Sequence, residues 1–351
     1  MARETIKPRV YVTRPIHREM IDLLQAGMDT RVNEIEGVPS RQVIAKETAG
    51  VDAIVGALGD QIDSEIMHEN KNLKAIHILT SSSLPEDFLE SGIDFDSANK
   101  LGICITNSPV MAEPIADFTF ALMLALSRRL IEADKFVREG SWQRAVGASH
   151  IATWSYALHI GSDIFDKTIG IIGLGRIGRL VARRAKGFNM RVLYYDAVRQ
   201  PAVEGILGVE FTCLDDLLRE SDFVTLHTPP IKHIIGSREL GLMKKSAFLI
   251  NTARGRNVDL LALQEALKRS QIAGAGLDVY ESDSIGSDSP LSKLNNVVLT
   301  HHMAPFTIET CKKLAMGAIE NIRSALEGKT PPNLVNQPTT RRRAIATDTP
   351  R

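Results

Sequence analysis

Short runs of apolar, β-favouring residues recur along the chain and alternate with stretches of helical periodicity. The runs fall at residues 10–12, 53–55, 75–79, 103–106, 169–172, 192–195, 223–226, 248–250 and 297–299. Near-continuous apolar strands between helices imply parallel sheets covered on both faces. The predicted class is therefore α/β, doubly wound. One predicted helix is unusually long. Pro114 suits its first turn, the pattern runs to about Arg138, and Gly140 is a stop signal. Its part from Phe118 to Leu126 is apolar on nearly every face, which predicts burial between domains or between subunits. The segment from Trp142 to Gly161 lacks periodicity and reads as a long loop. From Pro331 onward the chain turns polar, and residues 337–351, with Arg341, Arg342 and Arg343, read as a disordered tail.

Composition narrows the function classes. At 351 residues the chain has room for about two domains. Lys+Arg and Asp+Glu are both 42, so the formal net charge is zero. That removes the electrostatic footprint of a nucleic-acid binder and of a polybasic membrane anchor. Cys104, Cys213 and Cys311 are odd in number and far apart, which fits neither a disulfide framework nor a zinc site. A reducing, cytoplasmic location is the simpler reading. The first eight residues show no signal-peptide core, and no apolar stretch is long enough to span a bilayer.

The strongest local chemistry lies at residues 173–178. Gly173-Leu174-Gly175-Arg176-Ile177-Gly178 is a G-x-G-x-x-G run with a strand before it and a helical pattern after it. Glycines there permit a tight turn and a close backbone approach, and the helix N-terminus offers free N–H groups to a pyrophosphate. The next strand ends in Asp196, eighteen residues past the last glycine. A carboxylate there accepts bonds from both ribose hydroxyls and repels a 2′-phosphate, favouring NAD(H) over NADP(H). Arg199 is close enough to weaken that preference. The bland alternative is a strand-turn-helix with incidental glycines.

Four motifs in order then resemble the D-isomer-specific 2-hydroxyacid dehydrogenases over nearly the whole chain. They are the run from Thr168 to Gly178, Asn251-Thr252-Ala253-Arg254-Gly255, the run from Ala273 to Glu281, and Val297-Val298-Leu299-Thr300-His301-His302. Within the family the look is most similar to archaeal-type glyoxylate reductases, through Val12–Ile16, Asn72–Lys74, Ala116-Asp117 and Ala182–Phe188. The resemblance implies a flavodoxin-like substrate domain (residues 1–108 plus 305–336) and a Rossmann NAD-binding domain (109–304), with the site in a cleft between them. It implies NAD(H)-dependent interconversion of a small 2-oxo acid, glyoxylate or hydroxypyruvate first, and its D-2-hydroxy acid. The implied catalytic trio is Arg254, Asp283 and His302. Arg254 holds the substrate carboxylate and polarises the ketone. His302 donates the proton, and Asp283 orients the imidazole and favours its charged form. The implied cofactor set is Gly173, Gly175, Arg176, Ile177, Gly178, Asp196, His227, Thr228, Pro229, Thr252, Ala253, Arg254, Asp278 and His302. No metal is implied. The region from Pro114 to Trp142 is expected to join two copies as a homodimer.

Several positions depart from the family pattern. Asp283, twenty-nine residues past Arg254, stands where the family has glutamate, and Ser284 stands where it has proline. Glu281 is the fallback partner for His302. His301 replaces the usual proline. On a strand the two histidines point to opposite faces, and His302 fits the register of the site. The stretch from Thr80 to Asp94 carries an insertion where family members hold the substrate carboxylate; Asp94 keeps the structural acid. An alternative function follows from that altered loop: an NAD-sensing, corepressor-like binding protein of the same fold with little turnover. Blander readings apply elsewhere. Asp278 can cap a turn instead of meeting the nicotinamide carboxamide, and His227 can be a structural cap. His77 reads as a satisfied core histidine, Trp142 as a packing residue, and the Arg179, Arg183, Arg184 and Lys186 cluster as a solvated helix face.

Overall fold

The computed structural model describes residues 7–81, 92–146, 158–281 and 285–339, with no side-chain detail for 144–146. The chain divides into two compact units. One takes the chain up to Met111 and again from Phe306; the other is Ala112–Pro305.

The first unit alternates β1 (Arg9–Val12), α1 (Arg18–Gly27), β2 (Asp29–Val32), α2 (Arg41–Glu47), β3 (Ala53–Gly56), α3 (Ser64–Glu69), β4 (Ala75–Ile78), α4 (Phe95–Leu101) and β5 (Cys104–Asn107). The five strands are parallel in the order β2-β1-β3-β4-β5, the flavodoxin-like arrangement. Every residue of β3, β4 and β5 is buried, as apolar runs covered on both faces require. Asp63 and Asp94 start α3 and α4, accepting from Ile66 N at 3.1 Å and Ser97 N at 2.8 Å. His77, on β4, is fully buried. Its Nδ1 pairs with Thr106 Oγ1 at 3.0 Å and its Nε2 with Ser108 Oγ at 3.2 Å. It is a satisfied core histidine, and burial pushes its pKa down to about 3.

The second unit opens with α5 (Ala112–Ser127), α6 (Leu130–Arg138) and α7 (Ser141–Val146). It continues with β6 (Thr168–Ile172), α8 (Arg176–Ala185), β7 (Arg191–Tyr195), α9 (Pro201–Leu207), β8 (Glu210–Phe211) and α10 (Leu214–Glu220). Then come β9 (Phe223–Leu226), α11 (Ser237–Leu242), β10 (Phe248–Asn251), α12 (Leu260–Lys268), β11 (Gly274–Leu277) and β12 (Val297–Leu299). Its seven parallel strands run β12-β11-β10-β9-β6-β7-β8, so the order reverses between β6 and β9. The chain returns to the first unit as α13 (Ile308–Leu326), which packs on α1, β4 and β5.

The long predicted helix is two helices. Arg129 has φ +50° and ends α5 before α6 begins. The carbonyl of Ser127 accepts from Ser162 N at 2.8 Å, and a Cβ on Gly161 would lie 2.1 Å from that carbonyl oxygen. A crossing segment that must be glycine thus claims a group the longer helix would have used. Within the single chain α5 is buried on one side only. Glu113, Asp117, Ala121 and Leu124 form an exposed stripe at helical spacing, while Ala116, Phe120 and Met123 are buried. Trp142 lies on α7 rather than in a loop, and is 54% exposed within the chain. The arginine cluster on α8 does more than face solvent. Arg184 donates to Asp117 Oδ1 and to Glu113 Oε2, both at 2.6 Å, pinning α8 to α5. Among the described residues no helix is long and apolar enough to cross a membrane.

Candidate active site

Every described candidate residue lies in the second unit, at or just past the carboxyl end of a strand. In open parallel sheets, ligands bind there, beside the point where strand order reverses.

The turn after β6 is built for a close ligand. Gly173 has φ +97°, and a Cβ there would lie 2.7 Å from the His227 carbonyl oxygen. At Gly178 a Cβ would come within 2.1 Å of Gly173 O, so α8 can lie against its own turn only with glycine at that position. Gly175 is different: an added Cβ would meet nothing within 4 Å. Gly175 is also the N-cap of α8 and has no side chain with which to cap the N–H groups that open this helix. That concavity fits a pyrophosphate. Asp196, past the end of β7, accepts from Leu174 N at 2.7 Å, so the acid is held against the same turn. His227 follows β9. Its Nε2 pairs with Thr225 Oγ1 at 2.9 Å, and its Nδ1 is buried with no hydrogen-bond partner among the described residues. Burial pushes its pKa down to about 3. Thr228 is fixed by Asn257 Nδ2 at 3.0 Å, and Pro229 is exposed.

The loop after β10 carries Thr252, Ala253 and Arg254. Asn251 shapes it: its Oδ1 accepts from Ala253 N at 3.0 Å and its Nδ2 donates to Arg254 O at 2.9 Å. Thr252 Oγ1 lies 3.2 Å from Thr119 Oγ1 on α5. Arg254 Nη1 donates to Ala253 O at 2.9 Å. Gly255 is pressed so closely to the neighbouring loop that a Cβ would sit 1.9 Å from Tyr280 C.

Asp278, at the end of β11, is fully buried and accepts three bonds. Thr300 Oγ1 and Met303 N donate to Oδ1 at 2.6 and 2.9 Å, and Ala304 N donates to Oδ2 at 2.9 Å. His302 N in turn donates to Asp278 O at 2.8 Å. Asp278 therefore organises the turn that holds His302. Tyr280 adds a second tie, donating to Thr300 O at 2.8 Å; burial, then the charge of Asp278, pushes its pKa up to about 12. His301 and His302 do not alternate on a strand as predicted. β12 ends at Leu299, both histidines are exposed, and His302 has φ +62°. The capping needs of the buried carboxylate bend the chain there.

Asp283, Ser284 and residues 82–91 of the altered loop lie outside the described residues. Glu281 is committed elsewhere: its Oε1 pairs with His233 Nε2 at 3.2 Å. Asn251, Tyr280 and Thr300 escaped the sequence reading. All three stand inside quoted motifs, but only the fold shows that they tie loops together.

A glycine turn, a helix N-terminus capped by glycine and an acid after the next strand define the second unit as a dinucleotide-binding domain, joined here to a flavodoxin-like domain. The model of the D-isomer specific 2-hydroxyacid dehydrogenase NAD binding domain matches residues 120–304, more than half the chain. A glyoxylate reductase of Korarchaeum cryptofilum is 44% identical over 336 residues, covering 95% of this chain and 97% of that one. Among solved structures, the TT0316 protein of Thermus thermophilus aligns with TM-score 0.80 and 36% identity, over 93% and 99% of the two chains. An NADPH-dependent glyoxylate/hydroxypyruvate reductase of Sinorhizobium meliloti aligns with TM-score 0.76 and 25% identity, over 96% and 100%. The chain belongs to the D-isomer specific 2-hydroxyacid dehydrogenases, a family of oxidoreductases.

Proposed function

We propose that this chain reduces a small 2-oxo acid, glyoxylate or hydroxypyruvate first, to the D-2-hydroxy acid with NADH. The observation that carries this reading is the placing of Arg254 and His302 past the ends of β10 and β12, in the same sheet edge as the Gly173–Gly178 turn. The second unit acts as the cofactor domain and the first as the substrate domain. Gly175 and the N–H groups opening α8 hold the pyrophosphate, and Asp196 meets the ribose. Bound NADH supplies a hydride to the carbonyl carbon. Arg254 holds the substrate carboxylate and polarises the ketone with its fork of donors. His302, protonated, gives its proton to the carbonyl oxygen as that oxygen gains charge. Asp283 orients the imidazole. His227, Thr228, Pro229, Thr252 and Ala253 line the cofactor site.

The same reading includes a homodimer. α6 buries none of its residues within the chain, and its Leu130, Ile131 and Val137 are each at least half exposed; Trp142 and Phe165 of the same unit are exposed as well. An apolar face of this kind calls for a partner, and a second copy supplies it with two-fold symmetry.

The test is spectrophotometric: NADH oxidation with glyoxylate, hydroxypyruvate and pyruvate, with the product's configuration assigned. Turnover with at least one acid is expected, lost in His302→Ala and retained in His301→Ala. Tight NADH binding without turnover on any 2-oxo acid would replace this reading with the NAD-sensing one.

A further inference from the structure

Two arginines stand at the Asp196 end of the glycine turn, and the fold engages both. Arg179, on α8, donates from Nε to Leu174 O at 3.2 Å and from Nη2 to Gln200 Oε1 at 2.5 Å. Arg199 lies three residues past Asp196. Its Nε and Nη2 donate to Glu204 Oε1 and Oε2, both at 2.9 Å, the planar pairing in which guanidinium and carboxylate match best. Its Cζ lies 5.8 Å from the centre of the Phe211 ring. Glu204 is fixed from its other side. The hydroxyl of buried Tyr194 donates to Oε1 at 2.7 Å and accepts from Gln200 N at 2.8 Å. Tyr194 also stands edge-on to Phe211, with ring centres 5.3 Å apart. Glu204 is only 16% exposed, and the bonds from Arg199 and then Tyr194 hold its carboxyl down at about 2.

An exposed ion pair by itself has little hold. This one differs because its acid is anchored to a core tyrosine and its base is laid on an aromatic ring. We infer that Glu204 determines cofactor specificity: by clamping Arg199 it withholds from a 2′-phosphate the cation that would offset Asp196, so the site selects NADH. This rests on the NAD(H) reading of Asp196 given above. Selectivity then has two parts, a carboxylate that repels the phosphate and an arginine held by another carboxylate.

The test is direct binding to the full chain, without turnover. Dissociation constants are measured by fluorescence titration for NADH and NADPH, and by calorimetry for 5′-AMP and 2′,5′-ADP, which carry no nicotinamide. Glu204→Gln keeps an acceptor for Tyr194, so the fold is preserved, while the charge that holds Arg199 is gone. NADPH and 2′,5′-ADP should then bind about tenfold more tightly, as one charge-assisted contact provides, with NADH and 5′-AMP within about twofold of the unmodified chain. Arg199→Gln alone should leave NADPH affinity unchanged, because that arginine is not available. The double variant Glu204→Gln, Arg199→Gln should lose the gain. If the unmodified chain binds NADH and NADPH equally, the NAD(H) reading of Asp196 fails and the clamp fails with it. If it prefers NADH and Glu204→Gln gains nothing, the clamp alone is overturned. A gain that survives in the double variant overturns it too, since removal of negative charge would then be sufficient.

Discussion

Replacing Asp278 with Asn tests whether this buried carboxylate serves the histidine turn or the cofactor. Asp278 is fully buried and receives Thr300 Oγ1, Met303 N and Ala304 N. An amide keeps the first two bonds through its oxygen, but they become neutral bonds, each weaker by about 1 kcal/mol. Its NH₂ group then faces Ala304 N–H, donor against donor, leaving a buried donor unpaired at a cost of about 1–3 kcal/mol. Shedding a buried charge returns part of that, so a net loss of about 3 kcal/mol is expected. Urea unfolding followed by circular dichroism reads the stability. Rates with NADH and glyoxylate, set beside NADH affinity by fluorescence, read the function. The turn that presents His302 should loosen, so kcat should fall about 100-fold while NADH affinity changes by less than about threefold. A variant as stable as the parent refutes the hydrogen-bond argument. One that loses NADH affinity but not kcat makes Asp278 a cofactor contact instead.

Three further outcomes are expected. His77 has a folded pKa near 3 against an ordinary value of 6.5, so the unfolded chain binds the extra proton as pH falls below 6.5. His77 should therefore remove up to about 1.4 kcal/mol of stability per pH unit there, about 2 kcal/mol by pH 5; buried His227, also near 3, should remove as much again, so His77→Asn should halve the slope between pH 7 and pH 5 in denaturation series. Gly178→Ala puts a Cβ against Gly173 O and should cost about 1–3 kcal/mol along with most NADH affinity, whereas Gly175→Ala should fold normally and lose affinity only. Leu130→Glu with Ile131→Lys should shift the assembly from dimer to monomer by light scattering; a monomeric parent would dispose of the dimer reading.

The central strands were legible because each is a buried apolar run. Those that escaped are instructive. β2 (Asp-Thr-Arg-Val) and β8 (Glu-Phe) are edge strands with exposed residues, so neither shows a continuous apolar signal. β11 could be read only as the strand that Asp278 follows and not as an apolar run: it is Gly-Ala-Gly-Leu, with no β-branched residue. It is poor in side chains because α5 lies on it: a Cβ on Gly276 would lie 3.1 Å from Leu122 Cβ. Packing, not propensity, writes that strand. The break at Arg129 was hidden for a related reason, since its cause lies over thirty residues away at Gly161. In the site, the glycine turn and Asp196 could be found because their spacing is local. The pairing of Glu281 with His233 could not, since it depends on how two loops meet.

His302 shows how backbone and chemistry combine. A φ of +62° puts a side-chain-bearing residue in the left-handed region, at a cost of roughly 1–2 kcal/mol. The turn accepts this because bending the chain there delivers Met303 N and Ala304 N to a buried carboxylate that would otherwise keep only the bond from Thr300 Oγ1. The conformation at 302 is therefore imposed by Asp278 and not chosen by the imidazole. Asparagine tolerates the left-handed region and valine does not. If the backbone is imposed, His302→Asn should unfold within about 0.5 kcal/mol of the parent, and His302→Val should be less stable by roughly 1–2 kcal/mol, as the steric penalty requires. Both should lose turnover, because neither side chain can give up a proton at neutral pH. Equal stability of the two variants would mean that the turn relaxes freely. In that case the proton donor is held by its own ring contacts, and the network around Asp278 has no part in aiming it.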